Sequence, residues 1–288
     1  MIVSGAASQV LAARLATELG EPLAAVEYDR FPDGETLATV PEFDADRAVV
    51  VATTATNDAW VELLQLQDAV REAGASEVVT VVPYMGYARQ DQSFADGQPI
   101  SARAMARALS TGTDRAVLVN PHENSVADFF GCHVTVCDAA GRLAEPLPEG
   151  LADPLFLSPD AGAVGLAEAV RDAYGGGEVD FFEKIRHSGT DVEISPSDAD
   201  TGGRDVAIVD DIIATGSTMS EAVAHLTADG ADRVFATCVH PLLVGNARLK
   251  LERAGIDRII GTDTVERDVS TVSVAPIVAA AVDAVEAA

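Results

Sequence analysis

The sequence predicts an α/β protein whose mainly parallel sheets are flanked by helices. Short β-branched runs alternate with Ala-rich stretches whose apolar residues recur at helical spacing. This alternation persists along the whole chain of 288 residues, which is long enough for one large domain or for two of about 140 residues. Strand–helix–strand repeats of this kind build a doubly wound parallel sheet.

Each predicted strand is a short run of mainly Val, Ile, Leu and Ala that is bounded by turn or polar residues. The runs lie at 48–52, 78–83, 116–119, 155–157, 206–209, 233–239 and 258–261. Apolar positions at a helical period predict amphipathic helices that alternate with these strands, over about 8–19, 59–73, 100–111, 162–173, 217–229, 245–254 and 275–287.

A short theme recurs in the two halves of the chain. Gly74 opens a segment that leads into a strand ending at Pro83, and Gly230 opens a similar segment that ends at Pro241. The repeat reflects either the general pattern of helix–glycine–strand units or two similarly folded halves. The segment Glu-Pro-Leu-Pro-Glu-Gly at 145–150 has the composition of a connector, so we predict domains at 1–147 and 148–288.

The net charge of −27 restricts the classes of partner. Nucleic acid and acidic lipid surfaces are excluded, because the chain has no basic footprint to hold their phosphates. Regular apolar periodicity argues against a disordered acidic chain. We therefore interpret the acidity as adaptation to a salt-rich cytoplasm, where carboxylates hold hydration and salt screens their repulsion.

The cysteines and the N-terminus predict a cytoplasmic protein. Cys132, Cys137 and Cys238 form no metal-ligand pattern, so we expect reduced thiols that are buried as small apolar groups. The first residues lack the basic and apolar regions of a signal peptide, and no apolar run approaches the length of a membrane span.

The most informative segment is 206–219, Val-Ala-Ile-Val-Asp-Asp-Ile-Ile-Ala-Thr-Gly-Ser-Thr-Met. A β-branched run from Val206 to Val209 there ends in Asp210 and Asp211. A turn of small residues then leads into a predicted helix, with Thr218 and Glu221 at the spacing of a capping box. Closely spaced N–H groups and hydroxyls at such a turn suit a phosphate, whereas the two acids suit ribose hydroxyls or hydrated Mg²⁺. The segment predicts a site for a sugar 5-phosphate, and it resembles the phosphoribosyl-diphosphate loop of the type I phosphoribosyltransferase fold.

Further segments place polar side chains at predicted strand ends or on loops. Phe31-Pro-Asp-Gly-Glu35 is a turn, whereas Tyr84–Asp91 follows a strand and offers Arg89 to a phosphate and Gln90 to a base edge. His122 also follows a strand, where it is either a ligand of Mg²⁺ or phosphate or a structural histidine. Glu183-Lys-Ile-Arg186 opens a stretch that we expect to be a mobile loop at about 184–203, with a lysine and an arginine that suit a transferring phosphoryl group.

In this combination and order, the segments resemble those of the ribose-phosphate diphosphokinases, also called phosphoribosyl diphosphate synthetases. Thr56-Asn57-Asp58, Phe129-Phe130 and Ser158-Pro159-Asp160 complete the match, which covers nearly the whole chain. The short chain and the Glu-Lys-x-Arg form of the loop resemble archaeal members, and the acidity suggests a halophile. The resemblance implies two tandem type I phosphoribosyltransferase-like domains.

The resemblance also implies a role for each matched residue. Lys184 and Arg186 would stabilise the transition state, and His122 and Asp160 would contact the metal, which is Mg²⁺. ATP would contact residues of the first domain, which are Phe31, Asp33, Glu35, Arg89, Gln90, Asp91 and His122. Ribose 5-phosphate would contact residues of the second domain, which are Asp160, Asp210, Asp211, Ala214, Thr215, Gly216, Ser217 and Thr218.

Three further implications concern assembly, reaction and departures from the family pattern. The adenine turn around Phe31 reaches a neighbouring subunit in the family, which implies a homo-oligomer of at least two chains. The implied reaction transfers diphosphate from ATP to the C1 hydroxyl of ribose 5-phosphate and releases AMP. Asn120 stands where many members have an acid, which weakens the metal contact expected there. A purine or pyrimidine phosphoribosyltransferase and a catalytically silent regulatory paralogue stay open as alternatives.

Overall fold

The structure is a computed structural model that describes residues 1–188, 191–195 and 200–284, without the side chains of 183–188 and 191–195. It comprises two compact units. The first contains Met1–Asp138, Asp263–Glu266 and the chain from Ser273 onward, and the second contains Ala139–Thr262 and Arg267–Val272. The sequence predicts domains at 1–147 and 148–288, whereas the first of these compact units ends at Asp138 and also includes two C-terminal segments.

The first unit is built on a five-stranded parallel sheet. Its elements in chain order are β1 (Ile2–Ser4), α1 (Gln9–Leu19), β2 (Glu27–Arg30), β3 (Thr36–Thr39), β4 (Arg47–Val51), α2 (Asn57–Glu72), β5 (Glu77–Val82), α3 (Ser101–Leu109), β6 (Arg115–Val119) and β7 (His133–Cys137). The sheet order is β1-β4-β5-β6-β7, and β2 and β3 form a separate antiparallel hairpin. The residues Val49, Val50 and Val51 of β4 are fully buried, as expected for a strand covered on both faces.

The second unit is built on a six-stranded parallel sheet. Its elements are β8 (Leu155–Ser158), α4 (Val164–Tyr174), β9 (Glu178–Phe181), β10 (Glu183–Ser188), β11 (Asp191–Ser195), β12 (Asp205–Ile212), α5 (Ser217–Ala228), β13 (Arg233–His240), α6 (Ala247–Ala254), β14 (Arg258–Thr262) and β15 (Ser270–Val272). The sheet order is β15-β14-β13-β12-β8-β9, so β12 lies centrally between β13 and β8. Strands β10 and β11 pair separately as an antiparallel ribbon.

The last helix, α7 (Ala275–Asp283), belongs to the first unit. Val278 and Val282 are fully buried on it, and the guanidinium of Arg115 on β6 lies 3.5 Å from the carbonyl oxygen of Val282. The connection through Asp263–Glu266 is also tied to this unit, because the buried Asp263 carboxylate accepts a hydrogen bond from Arg14 on α1 at 2.7 Å. The chain therefore completes its first unit with its last helix.

The predicted α/β class is confirmed, and all seven predicted strands and seven predicted helices occur within a few residues of their expected bounds. The sequence does not predict β1, the β2–β3 hairpin, β7, β9 or β15. It predicts a mobile loop at about 184–203, where the structure has β10 and β11 paired as a ribbon. The sequence of this ribbon alternates apolar and polar residues with the period of two that favours a strand. Ile185 lies between two basic residues, and Val192 and Ile194 alternate with two acids and a serine.

Two further observations concern the thiols and membranes. Cys137 and Cys238 are buried as expected, whereas Cys132 is partly exposed. Burial raises the pKa of the Cys137 thiol to about 11, which keeps it protonated. Within the described part of the chain, none of the helices combines the length and the apolar character that a membrane crossing requires.

Candidate active site

Three carboxylates meet at the carboxyl edge of the second sheet. Asp210 and Asp211 lie at the end of β12, and Asp160 follows the neighbouring parallel strand β8. One Asp210 carboxylate oxygen accepts a hydrogen bond from the Asp211 N–H at 2.9 Å, and Asp160 accepts one from the Gly162 N–H at 2.9 Å. Burial, followed by the charges of Asp211 and Asp160, raises the pKa of Asp210 well above its usual value. The site therefore favours a cation or hydroxyl donors beside these acids.

The turn after β12 presents a run of backbone N–H groups. For the N–H groups of Ala214 to Thr218, no acceptor occurs among the residues that the structure describes. Gly216 has a left-handed backbone with φ of 69° and forms the N-cap of α5, while the side chains of Thr215 and Ser217 are exposed. Successive N–H groups and hydroxyls at a helix N-terminus can bind a phosphate.

The predicted capping box at Thr218 and Glu221 is wrong. Helix α5 begins at Ser217, and its N-cap is Gly216, which has no side chain that could accept from the first N–H groups. Those donors are thus left to a ligand rather than satisfied by the protein.

The turn is held from behind by the segment that joins β13 to α6. The N–H groups of Leu243 and Val244 donate to the carbonyl oxygens of Ile213 and Ala214 at 2.9 and 3.0 Å. A Cβ at Gly216 would lie 3.2–3.3 Å from atoms of Ala247, so this position has neither room nor a relaxed backbone for a side chain.

Lys250 contacts this turn, and the sequence does not predict that contact. Its Nζ atom on α6 lies 2.7 Å from Ser217 Oγ and 3.2 Å from the carbonyl oxygen of Thr215. The two residues of each contact are more than 30 positions apart in the chain, so no local motif indicates the contact. The only sequence signal was the rarity of lysine, since the chain contains two.

In the first unit, the turn of the β2–β3 hairpin carries Phe31, Asp33 and Glu35. The Phe31 N–H donates to the Glu35 carbonyl at 2.8 Å, and the Asp33 carboxylate accepts from the Glu35 N–H at 3.2 Å. Phe31 is 46% exposed at this turn, which is high for an aromatic ring. Arg30, the last residue of β2, pairs with Asp58 in the first turn of α2 and so anchors the hairpin.

The loop after β5 carries the predicted Arg89, Gln90 and Asp91. It packs closely on the segment that follows β4, because a Cβ at Gly86 would lie 2.1 Å from the Thr54 carbonyl oxygen. The Arg89 side chain is exposed, as a phosphate ligand requires. The amide of Gln90 instead donates within its own loop, to the Gln92 carbonyl at 3.1 Å and to Gln98 Oε1 at 3.3 Å. Gln90 thus shapes the loop, and a contact to a base edge would require these bonds to rearrange.

The hairpin turn and the loop after β5 are both fastened to the start of α2. Tyr87, which has a φ of 66°, donates from its hydroxyl to Asn57 Oδ1 at 2.5 Å, and the neighbouring Asp58 pairs with Arg30. Thr56 caps the same helix by accepting from the Ala59 N–H. The matched segment Thr56-Asn57-Asp58 is thereby explained as the anchor of two predicted ATP-binding segments.

His122 is exposed two residues beyond Asn120, at the end of β6. Asn120 has a φ of 35°, and its side-chain amide donates to the Asp138 carboxylate at 2.8 Å. Strands β5 and β6 are parallel neighbours, so the Arg89 loop and His122 leave the same edge of the first sheet.

Lys184 and Arg186 lie in β10, opposite Ile194 and Val192 of β11. The side chains of Lys184 and Arg186, and the rest of the expected loop at 189–190 and 196–199, lie outside the described residues. The structure therefore assembles the phosphate turn with Asp160, Asp210 and Asp211 in one unit, and Phe31, Arg89 and His122 in the other.

Comparison with known proteins assigns the chain to a family. A family model described as the N-terminal domain of ribose phosphate pyrophosphokinase matches residues 1–112, and one described as phosphoribosyl synthetase-associated domain matches residues 196–286. The ribose-phosphate pyrophosphokinase of Halobacterium salinarum is 60% identical over 97% of this chain and 99% of its own length. The chain belongs to the ribose-phosphate pyrophosphokinase family. The Methanosarcina mazei pyrophosphokinase is also similar, at 44% identity over 97% of this chain and 94% of its own.

A solved structure agrees with this membership. Phosphoribosylpyrophosphate synthetase from Mycobacterium smegmatis matches with a TM-score of 0.85 at 30% identity, and the match covers 100% of this chain and 98% of that one. The predicted resemblance to archaeal pyrophosphokinases is confirmed, and so is the predicted fold of two α/β domains. Membership in the pyrophosphokinase family favours the predicted diphosphate transfer over base transfer by a phosphoribosyltransferase.

Proposed function

We propose that the chain uses the two sets of residues described above for the reaction of its family, which is transfer of diphosphate from ATP to ribose 5-phosphate. The C1 hydroxyl oxygen of the sugar forms a bond to the β-phosphorus of ATP. The bond from that phosphorus to the oxygen bridging to the α-phosphate breaks, its electron pair stays on that oxygen as AMP leaves, and the hydroxyl proton passes to water. The products are 5-phosphoribosyl 1-diphosphate and AMP. Such a transfer depends mainly on positioning and charge stabilisation.

The turn from Ala214 to Thr218 is the proposed binding site of the 5-phosphate. The observation that supports this assignment most strongly is the run of N–H groups without acceptors in the described structure, next to the exposed hydroxyls of Thr215 and Ser217. Asp210 and Asp211 stand beside that turn and would accept hydrogen bonds from the ribose hydroxyls. This arrangement fixes the sugar at both ends and so orients its C1 hydroxyl.

ATP would contact the first unit. The exposed guanidinium of Arg89 would pair with a phosphate, and Asp91 and His122 would lie near the triphosphate. We propose that the exposed ring of Phe31, with Asp33 and Glu35, contacts the adenine bound by a neighbouring copy, which requires an oligomer. Gln90 would contribute by holding the shape of the Arg89 loop.

The residues present fit a Mg²⁺ ion that binds together with substrate. Among the described residues no group of three ligands forms a dedicated metal cage, and Mg²⁺ in phosphate-transfer sites takes only one or two carboxylates besides phosphates and water. Within the second unit Asp160, close to the charge of Asp210, is a proposed Mg²⁺ contact, and within the first unit His122 is another. Bound Mg²⁺ would neutralise charge on the phosphates and orient them.

Lys184 and Arg186 are proposed to stabilise the charge that develops on the transferred group. We expect Lys184→Ala to lower kcat for AMP release by roughly 1,000-fold or more, while the Kd for ATP changes little. The assay follows AMP formed from ATP and ribose 5-phosphate, with ATP binding measured by calorimetry. Lys184→Arg, which keeps the charge, is the matched control and should retain more activity than the alanine variant.

The same assay separates the remaining alternative. A catalytically silent regulatory paralogue would form no AMP even in the unmodified chain. Near-normal turnover in Lys184→Ala would instead contradict the role of Lys184 while leaving the reaction itself intact.

A further inference from the structure

We propose that Lys250 is a positioning residue of the ribose 5-phosphate site, which orders the phosphate turn from behind and directs the Ser217 hydroxyl toward the ligand. The proposal rests on the assignment of the Ala214–Thr218 turn to the 5-phosphate.

The first observation is the way the turn is tied down. Three consecutive carbonyl oxygens, those of Ile213, Ala214 and Thr215, accept from Leu243 N–H, Val244 N–H and Lys250 Nζ. The first two are backbone bonds and do not depend on side-chain identity. The third is made by a side chain, and it holds the residue that immediately precedes the left-handed Gly216. These carbonyls are held by the protein, whereas the N–H groups of the turn have no acceptor among the described residues, so those donors remain available to the ligand.

The second observation concerns the hydroxyl of Ser217. Lys250 Nζ lies 2.7 Å from Ser217 Oγ, and an ammonium group has three donors and no acceptor. Ser217 must therefore accept in this contact, and it also accepts from the Thr215 hydroxyl at 3.4 Å, so its own proton is kept for another partner. At the start of α5, with an exposed side chain, a phosphate oxygen is the acceptor that the proposed function provides.

The third observation is the charge around the turn. Asp210, Asp211 and Asp160 crowd the neighbouring edge of the sheet, and the chain as a whole carries a net charge of −27. A doubly charged phosphate ester must bind in this acidic surrounding. Lys250 brings a positive charge to within hydrogen-bond distance of two residues of the turn, which favours an anion there.

The test compares KM values for the two substrates in variants of α6. Lys250→Met should raise KM for ribose 5-phosphate roughly 10-fold or more, because a charge-assisted contact is lost, while KM for ATP changes by less than about twofold. Lys250→Arg should restore most of the affinity. Arg253→Met is the matched control, since it removes the same charge from the exposed side of the same helix one turn away, and it should leave both KM values unchanged.

A double-mutant cycle tests the link to Ser217. Ser217→Ala should raise KM for ribose 5-phosphate by itself, and adding Lys250→Met should raise it by less than the product of the two single effects. Multiplying effects would contradict the proposed direction of the hydroxyl. Thermal unfolding of each variant shows whether it is folded, and Lys250→Gln replaces Lys250→Met if the latter is not.

The other outcomes separate this inference from the proposed function. If Ser217→Ala raises KM for ribose 5-phosphate and Lys250→Met does not, the role of Lys250 is overturned and the phosphate turn stands. If neither variant changes that KM, the assignment of the turn is itself wrong. Equal effects of Lys250→Met and Arg253→Met, or an equal rise in both KM values, would mean a general loss of charge or structure and would also overturn the inference.

Discussion

The buried position of the Asp210 carboxylate destabilises the ligand-free protein at neutral pH and favours the binding of a ligand. Burial and the neighbouring Asp211 raise its pKa, so the folded state binds a proton more strongly than the unfolded chain does. The contribution of Asp210 to stability therefore falls as the pH rises from about 4, the unfolded value, through the raised folded pKa. This pattern is typical of sites where binding is favoured at the expense of stability.

We expect Asp210→Asn to increase the free energy of unfolding at neutral pH by about 1 kcal/mol while it weakens ribose 5-phosphate binding. The gain should be smaller in acid, where Asp210 is already protonated. Denaturant unfolding across pH measures it. Asp68→Asn, at an exposed position in the middle of α2, is the control for loss of one negative charge. A gain no larger than that of the control would contradict the account.

The sequence indicates the positions of some site residues and not of others. Asp210, Asp211 and the residues of the turn were predicted because they follow one another along the chain, so local turn chemistry indicated their place. Lys250 was not predicted, because its contacts depend on the packing of α6 against the turn. Gln90 was predicted as a base contact, and the structure shows its amide bonded to its own loop, which residue type alone does not reveal.

At the scale of elements, the parallel strands and their helices were predictable because their hydrophobic periods are strong. The β2–β3 hairpin was missed although its Phe31–Glu35 turn was noticed, since all four residues of β2 are exposed and show no alternation of apolar and polar residues. The helix α7 was predicted, but its membership in the first unit was not. A helix joins one core or another through long-range packing, which local sequence patterns do not reveal.

The role of α7 in the first unit gives a prediction. Val278→Asp places a charge on the buried face of α7 and should lower the thermal midpoint of the first unit strongly, because burying an unpaired carboxylate costs several kcal/mol. Ala280→Asp adds the same charge to the exposed face of the same helix and should change the midpoint little. Calorimetry measures both. Equal effects would contradict the packing of α7 described above.

At the scale of the whole molecule, the most prominent property is the excess of acidic side chains. With 46 acidic and 19 basic side chains, repulsion within the folded chain is large at low ionic strength. Salt at molar concentration shortens the screening length to about 3 Å and removes most of this repulsion. The sequence alone predicts this property, because it depends on composition rather than on fold.

We therefore expect the unfolding midpoint to rise with KCl up to molar concentration, and KM for both anionic substrates to fall over the same range. Circular dichroism at increasing KCl measures the midpoint, with a neutral osmolyte such as sucrose as the control for general preferential exclusion. A midpoint that stays flat or falls with KCl would contradict the interpretation of the acidity.

We propose that the turn at Ala214–Thr218 holds the sugar that accepts diphosphate from ATP. Phosphorus NMR of the chain with ATP, Mg²⁺ and ribose 5-phosphate tests this, in parallel for the unmodified chain and Ser217→Ala. We expect AMP and 5-phosphoribosyl 1-diphosphate in equal amounts without ADP, and slower formation of both in the variant at subsaturating ribose 5-phosphate. Formation of ADP would overturn the diphosphate transfer, and an unchanged rate in Ser217→Ala under those conditions would overturn the role of the turn.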